Sequence, residues 1–235
     1  SSPSSPTALP PKTSERLLLE AWPQVVKAGG HEEGGLQRLL CTSAGRAQLA
    51  RFVAERHPGA AIACVYQDDY LVKLARAEVG NSSPPNLSIV CQADLVAAEH
   101  RPETAIDVAA LPLSSQGDGE LAREQLQQCY GALRLGGRLL AATDNPRDTW
   151  LAEQLTTLAG RPKRSETAEG AVYVVERGEG PVRMRNFDCE FAFRDAGRLF
   201  QVVSRAGVFS HRRIDPGARR LLDAMEIADG DRVLD

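Results

Sequence analysis

Several signatures that would place this chain in a broad class of proteins are missing from it. No apolar run approaches the roughly 18 residues of a membrane-spanning helix. The five cysteines include no Cys-x-x-Cys pair and the four histidines are scattered, so no zinc site or redox pair is predicted. Residues 1–11 lack the apolar core of a signal peptide. We therefore expect neither a membrane nor a metal among the partners of this chain.

The cysteines and the charged residues indicate the surroundings of the chain. Cys41, Cys64 and Cys91 each fall inside an apolar run, which predicts small buried thiols and hence a reducing, cytoplasmic environment. The net charge of -3 does not by itself suggest a nucleic-acid partner. Residues 161–220, however, hold 13 Lys and Arg against 8 Asp and Glu. All but one of these cations are arginine, which binds phosphate bidentately, although GC-rich genomes also favour arginine.

Apolar runs and helical patterns alternate through residues 14–180. Such alternation predicts an α/β domain with a mostly parallel sheet of about seven strands and helices on both faces. We expect strand 36–41 to lie centrally and strand 171–176, which follows a hairpin-like stretch, to run antiparallel. The predicted strands are 36–41, 61–66, 87–91, 105–111, 138–143 and 171–176, and the predicted helices are 15–22, 46–57, 69–79, 120–133 and 147–158.

The pattern changes near residue 180, where we place a domain boundary. Residues 182–193 and 199–204 are predicted to form a β-hairpin with its turn at 194–198. Asp215 is a favourable N-cap and Pro216 suits a first helical turn, so a helix is predicted over 216–225. The predicted organisation is a disordered lead-in (1–13), one α/β domain (14–180), and a hairpin and helix that lead into a further domain (181–235).

The end of the chain resembles a known family. Gly-Val-Phe-Ser (207–210), Ile-Asp-Pro-Gly (214–217), a leucine-containing helix and Val-Leu-Asp (233–235) follow one another. In this order and spacing they resemble the junction of the tandem-domain ribosomal RNA guanine-N2 methyltransferases, which read G-V-F-S, L-D-x-G, a leucine-rich helix and V-L-D-L-G-C-G-x-G. The match covers about thirty residues, and Asp235 would begin the cofactor motif of a catalytic domain.

The resemblance implies a Rossmann-like class I methyltransferase fold for residues 36–176, in a degenerate amino-terminal copy. A full-length enzyme of this family transfers a methyl group from S-adenosylmethionine to a guanine amine of ribosomal RNA. Its catalytic half, which would follow Asp235, holds the cofactor. The resemblance therefore predicts no cofactor and no catalytic residue in the present chain. It predicts two partners, which are ribosomal RNA, bound weakly by this chain, and the catalytic half of the same protein.

Three elements that an active copy needs are altered in this chain. The loop after the first strand, 41–46, has the single glycine Gly45 where backbone must approach the cofactor. Tyr66 stands where an acid at the tip of the second strand would hold the ribose hydroxyls. The catalytic loop Asn-Pro-Pro-[Phe/Tyr] is replaced by 109–114, which has no asparagine and no aromatic residue. Asp94 and Leu-Gly-Gly-Arg (135–138) do fit the fold, so Gly45, Tyr66 and Asp94 are the candidate residues of a vestigial cofactor site.

The candidate RNA-binding residues are a group of four arginines. Exposed basic groups suffice to contact RNA phosphates, but a solvated helix face explains them equally well. In the family the G-V-F-S loop lies near the cofactor site of the catalytic half. If the resemblance holds, some of the four arginines would therefore belong to that cofactor site. The four arginines are Arg212, Arg213, Arg219 and Arg220.

Two other functions remain compatible with the sequence. A free-standing RNA-binding or assembly module would share the basic segment and lack any activity. A fragment of a nicotinamide-dependent reductase would share the alternating strands and helices, but the chain lacks the G-x-G-x-x-G that such an enzyme needs.

Overall fold

The computed structural model describes residues 9–28, 35–96 and 105–232. The chain divides into two compact units after Arg185, five residues beyond the boundary that the sequence suggests. Most of the predicted lead-in (1–8) and the start of the predicted further domain (233–235) lie outside the described residues.

The first unit is an α/β domain with a single seven-stranded sheet. A short 3-10 turn at Gly80–Ser82 follows the third helix. The helices are α1 (Thr13–Ala28), α2 (Gln48–Arg56), α3 (Asp69–Val79), α4 (Gly119–Ala132) and α5 (Trp150–Ala159). The strands are β1 (Arg38–Cys41), β2 (Ala61–Tyr66), β3 (Leu87–Cys91), β4 (Ile106–Leu113), β5 (Leu133–Thr143), β6 (Lys163–Glu166) and β7 (Ala171–Glu176).

The strand order is β3-β2-β1-β4-β5-β7-β6. The pairs β1–β2, β2–β3, β1–β4 and β4–β5 are parallel, whereas β7 is antiparallel to both β5 and β6. The predicted mostly parallel sheet with an antiparallel late strand is therefore confirmed. The strand that was expected to lie centrally, β1, is the third of the seven and lies beside the middle strand β4.

Hydrophobic layers on both faces of the sheet hold the first unit together. Within β1, Leu39 and Cys41 pack with α1, α2 and α3, whereas Leu40 packs with α4 and α5 on the opposite face. In β4, Ala109 and Ala110 divide between the same two layers. Central strands buried on both faces explain why their sequences read as continuous apolar runs.

The structure corrects several sequence-based boundaries. Helix α1 continues past the predicted end at Trp22 and through Pro23, because Val25 and Val26 lie in the core one turn further on. Helix α5 begins three residues late, after a polar turn, and β5 begins five residues early. Strand β6 was missed because its sequence, Lys-Arg-Ser-Glu, is fully exposed and carries no apolar signal. Cys91 is exposed, so the prediction of a buried thiol was wrong there, whereas Cys41 and Cys64 are buried.

The second unit holds a two-stranded hairpin and a helix. Strands β8 (Cys189–Asp195) and β9 (Arg198–Ser204) pair antiparallel, and the predicted strand 182–193 was wrong before Cys189. Ala196 and Gly197 both have positive φ, as a two-residue hairpin turn requires. Helix α6 (Pro216–Ala224) begins as predicted, because Asp215 accepts a hydrogen bond of 2.8 Å from the Ala218 N–H.

Replacing Gly170 by alanine should destabilise the first unit. A Cβ at this position would overlap the Thr143 carbonyl oxygen and lie 2.8 Å from Leu17 Cδ1, and backbone cannot move aside as a flexible side chain can. We expect a loss of about 1–3 kcal/mol in the free energy of unfolding, measured by urea denaturation. Gly178→Ala is the matched control, because a Cβ there meets nothing within 4 Å. Equal denaturation midpoints for the two variants would contradict this packing.

Candidate functional site

The candidate site lies at the carboxyl ends of β1 and β2. Open parallel sheets bind ligands outside the carboxyl ends of their strands, at the point where the strand order reverses. Here the chain leaves β1 toward β2 on one side, while β4 lies on the other side of β1. The loop 42–47 after β1 is therefore the place where a cofactor would meet backbone N–H groups.

The N–H groups of Gly45, Arg46 and Ala47 in this loop donate to the chain's own side chains. Ser43 Oγ accepts hydrogen bonds of 3.0 Å from the N–H groups of both Gly45 and Ala47. Gln48 Oε1 accepts a bond of 2.7 Å from the Arg46 N–H. Ala47 has a left-handed backbone (φ 59°), which is uncommon for alanine, and it lies fully buried directly before α2. The loop is thus closed on itself by side-chain acceptors.

A carboxylate from α1 completes this closure. Glu15 is fully buried, and its Oε2 accepts a hydrogen bond of 2.6 Å from the Ser43 hydroxyl. Its Oε1 accepts one of 3.1 Å from the Leu49 N–H in the first turn of α2. Burial raises the pKa of Glu15, although the hydrogen bonds from Ser43 and Leu49 act in the opposite direction. An acidic group of the protein itself therefore occupies the helix N-terminus, where an anionic ligand group would otherwise bind.

Tyr66 fills the remaining space between the two strand ends. Its side chain is buried at the end of β2, and its hydroxyl donates a hydrogen bond of 3.2 Å to the Gly45 carbonyl. Burial raises the pKa of this phenol, with the Cys64 thiol contributing next. Two of the three candidate residues of the vestigial site, Gly45 and Tyr66, are thus in contact with each other and not with open space.

The third candidate, Asp94, lies elsewhere along the same edge of the sheet. It is exposed, and its Oδ1 accepts a hydrogen bond of 3.0 Å from Gln128 Nε2 on α4. Gln128 Oε1 in turn accepts a bond of 2.7 Å from the Leu95 N–H. Asp94 therefore helps to anchor the segment after β3 to α4.

These residues do not fit S-adenosylmethionine in its usual place on this fold. The cofactor would need free N–H groups after β1 for its amino-acid moiety and an acceptor after β2 for its ribose. Here Ser43, Gln48 and Glu15 take the N–H groups, and the Tyr66 ring takes the place of the acceptor. The segment 114–117, which follows β4, contains neither an asparagine nor an aromatic residue.

Glu15 is the participant that sequence reasoning missed. Its position in the first turn of α1 is typical of an acid that only favours a helix N-terminus, so nothing local distinguishes it. Its partner Ser43 is 28 residues further along the chain. Only the packing of α1 against α2 brings the two groups together.

The predicted RNA-binding arginines all lie in the second unit and differ in their surroundings. Arg219 is held in ion pairs, at 3.2 Å from Asp195 and 3.1 Å from Asp223, and it also donates to the Arg194 carbonyl. The side chains of the other three, Arg212, Arg213 and Arg220, are exposed.

A buried histidine supports the basic segment of the second unit. The ring nitrogens of His211 lie 3.1 Å from Ser204 Oγ and 2.8 Å from the Phe187 carbonyl oxygen. These contacts join the segment after β9 to the residues that precede β8. His211 therefore holds in place the start of the segment that carries Arg212 and Arg213.

The described residues form neither a membrane-spanning helix nor a metal site. No helix among these residues is long and apolar enough to cross a membrane. The same ranges contain no group of three or more His, Cys, Asp or Glu side chains placed to hold a metal ion.

Solved structures of several transferases resemble this chain. The 16S rRNA N2 methyltransferase RsmC of T. thermophilus, solved with AdoMet and guanosine, matches 80% of this chain and 47% of its own length, with a TM-score of 0.61 and 20% identity. A probable spermidine synthase from Corynebacterium glutamicum matches 74% of this chain and 67% of its own, with a TM-score of 0.54 and 17% identity. An rRNA methylase from Streptococcus thermophilus matches 67% and 97%, with a TM-score of 0.52 and 10% identity.

These likenesses show the fold. The chain has the Rossmann-like methyltransferase fold that its sequence predicted, with an additional C-terminal hairpin and helix. It spans about half the length of the RsmC structure that it matches. No family model and no curated protein matches the chain.

The buried Glu15 should make the stability of the fold depend on pH. Because its pKa is raised above its usual 4.5, the folded state binds more protons than the unfolded state above that pH. The free energy of unfolding should therefore fall as pH rises from about 4.5 through the raised pKa. Glu15→Gln removes this titration, so urea denaturation of the variant should show a smaller fall over that range.

Glu20→Gln is the matched control for this measurement. Glu20 lies on the same helix but is exposed, so its loss should leave the wild-type dependence on pH in place. A Glu15→Gln variant with the same dependence as the wild type would show that Glu15 does not titrate differently on folding.

Proposed function

We propose that this chain is the non-catalytic amino-terminal part of an S-adenosylmethionine-dependent ribosomal RNA guanine-N2 methyltransferase. In this proposal it contributes to ribosomal RNA binding and supports the fold of a catalytic half that holds the cofactor. The transfer of the methyl group to the guanine amine takes place in that other half. The present chain binds no cofactor of its own.

The closed loop after β1 is the observation that carries this proposal. Glu15 and Ser43 satisfy N–H groups that a cofactor would need, and Tyr66 reaches the Gly45 carbonyl across the same space. Opening the loop would leave the buried Glu15 carboxyl group without its hydrogen-bond donors, which costs roughly 1–3 kcal/mol. The methyltransferase fold is thus retained in a form that is stable without cofactor.

Two independent likenesses support the choice of ribosomal RNA as the substrate. The G-V-F-S to V-L-D segment resembles the junction of the tandem-domain rRNA methyltransferases. The T. thermophilus RsmC structure, which matches most of this chain, is a 16S rRNA methyltransferase in complex with AdoMet and guanosine. Since this chain matches only 47% of that protein, the other half of RsmC provides room for a catalytic domain.

Reading the open frame beyond Asp235 is the most direct test of the tandem arrangement. We expect Leu-Gly-Cys-Gly immediately after Val-Leu-Asp and an Asn-Pro-Pro-aromatic loop further on. A frame that closes without these motifs would favour the alternative of a free-standing RNA-binding module. A G-x-G-x-x-G at this point would instead favour a nicotinamide-dependent enzyme.

The 235-residue chain should not bind S-adenosylmethionine tightly. Isothermal titration should detect no binding in the low micromolar range, which corresponds to about 8 kcal/mol. The physical reason is that the Tyr66 ring and the Glu15 carboxylate occupy the places of the ribose and the amino-acid moiety. A low micromolar dissociation constant for the wild-type chain would contradict the non-catalytic assignment.

Binding to ribosomal RNA should be weak, tolerant of sequence and steeply dependent on salt. Each phosphate that is neutralised contributes a slope of about 0.7–0.9 in log affinity against log salt. Replacing Arg212 and Arg213 together by alanine should therefore lower the measured slope by the amount that roughly one to two phosphate contacts contribute. Filter binding to ribosomal RNA over a range of salt concentrations measures this slope.

Arg51→Ala with Arg56→Ala is the matched control. Both arginines lie on α2 of the first unit, one paired with Glu55 and the other over the Phe52 ring. The control should leave the slope unchanged, and both double variants should unfold within about 0.5 kcal/mol of the wild type. An unchanged slope in the Arg212 and Arg213 variant, together with lost stability, would make these arginines structural.

A further inference from the structure

The turn of the β8–β9 hairpin is small and has an arginine on each side. It consists of Ala196 and Gly197, and a Cβ on Gly197 would meet nothing within 4 Å. Arg194 precedes the turn and Arg198 follows it, and both residues are exposed. A turn without bulky side chains allows the hairpin tip (194–198) to come close to another molecule, with a guanidinium group on either side of the contact.

The two arginines of the hairpin tip lie on opposite faces of the hairpin. In the antiparallel register Arg198 stands directly opposite Asp195, so these two side chains share a face. Arg194 is next to Asp195 in β8 and therefore belongs to the other face, because successive side chains of a strand alternate. Cations placed in this way suit two separate anionic groups of one extended partner and not a single small anion.

Arg219 joins helix α6 to the hairpin tip. Its Nη1 donates a hydrogen bond of 2.9 Å to the Arg194 carbonyl oxygen and lies 3.2 Å from Asp195 Oδ1. Its Nη2 lies 3.1 Å from Asp223 Oδ1 on the same helix. Arg219 therefore holds the tip against α6, and it acts as a positioning residue for the two tip arginines.

These contacts also leave the hairpin tip with an excess of positive charge. The carboxylates of Asp195 and Asp223 both pair with Arg219. Arg220, at the next position of α6, is exposed. Among the described residues, neither Arg220 nor the two tip arginines form an ion pair with a carboxylate. The surface thus offers three guanidinium groups, and a guanidinium group binds phosphate bidentately.

We propose that the hairpin tip, together with Arg220, binds the phosphate backbone of RNA. The tip contains no large apolar side chain of the kind that anchors a protein–protein interface, whereas arginine and small residues suffice for contact with phosphates. Phosphate contacts carry no sequence information, so this surface positions RNA without selecting a base. The inference rests on the proposed function in taking RNA as the partner.

Filter binding to ribosomal RNA over a range of salt concentrations tests the proposal. Arg194→Ala with Arg198→Ala should lower the slope of log affinity against log salt by the amount that one to two phosphate contacts contribute. Each such contact contributes about 0.7–0.9. Arg51→Ala with Arg56→Ala removes the same charge from α2 of the first unit and should leave the slope unchanged. A tip variant that keeps the wild-type slope would overturn the proposal.

A second pair of substitutions separates the charge of the tip arginines from a role in folding. Arg194→Lys with Arg198→Lys keeps both charges, but lysine cannot form the bidentate contact. The slope should therefore stay at the wild-type value while the affinity for RNA falls. The urea midpoints of the lysine and alanine variants should match that of the wild type, because both side chains are exposed. A lysine variant that loses as much slope as the alanine variant would also overturn the proposal.

Competition identifies the chemical class of the partner. Polyglutamate at an equal concentration of charge should displace ribosomal RNA from the wild-type chain less effectively than unlabelled RNA does. Equal displacement would indicate an acidic protein surface as the partner and overturn the proposal.

The outcome is separable from that of the proposed function. A slope that falls in the Arg212 and Arg213 variant but not in the tip variant would overturn the role of the tip alone. A wild-type chain that binds no ribosomal RNA at low salt would remove RNA binding from the proposed function as well.

Discussion

The burial of the Glu15 carboxylate against the start of α2 is the constraint on which the site depends. Its contacts with Ser43 and Leu49 lock α1, the loop after β1 and the first turn of α2 into one arrangement. A buried carboxylate is tolerated only while its hydrogen-bond donors stay in place. The loop therefore cannot serve both this carboxylate and an external ligand.

Much of the fold was predictable from the sequence, because burial on both faces of the sheet leaves a strong pattern. The bounds of β2, α3, β3 and β7 agree with the predictions residue for residue. The signal failed where side chains are exposed, as in β6, and where tertiary packing overrode a local breaker, as at Pro23 in α1. Local sequence patterns reflect burial and turn chemistry. They therefore do not predict elements such as β6, whose side chains are not buried and which contains no turn residues.

From the sequence, the candidate site could be predicted only as a set of positions where residues needed for cofactor binding are replaced by others. Gly45 and Tyr66 were identified because they stand where a cofactor site needs other residues, and the structure brings them into contact. That the Tyr66 hydroxyl reaches the Gly45 carbonyl depends on the distance between two strand ends, which a single sequence does not encode locally.

The polar strand at the end of the sheet affects how copies of this chain behave toward one another. An outermost strand exposes a row of unpaired N–H and C=O groups that a second chain could continue. In β6 every side chain is exposed, and three of the four carry charge. Bringing two such edges together would desolvate the charged side chains on both strands. The sequence that gave no signal for a strand thus protects the sheet from growing into an aggregate.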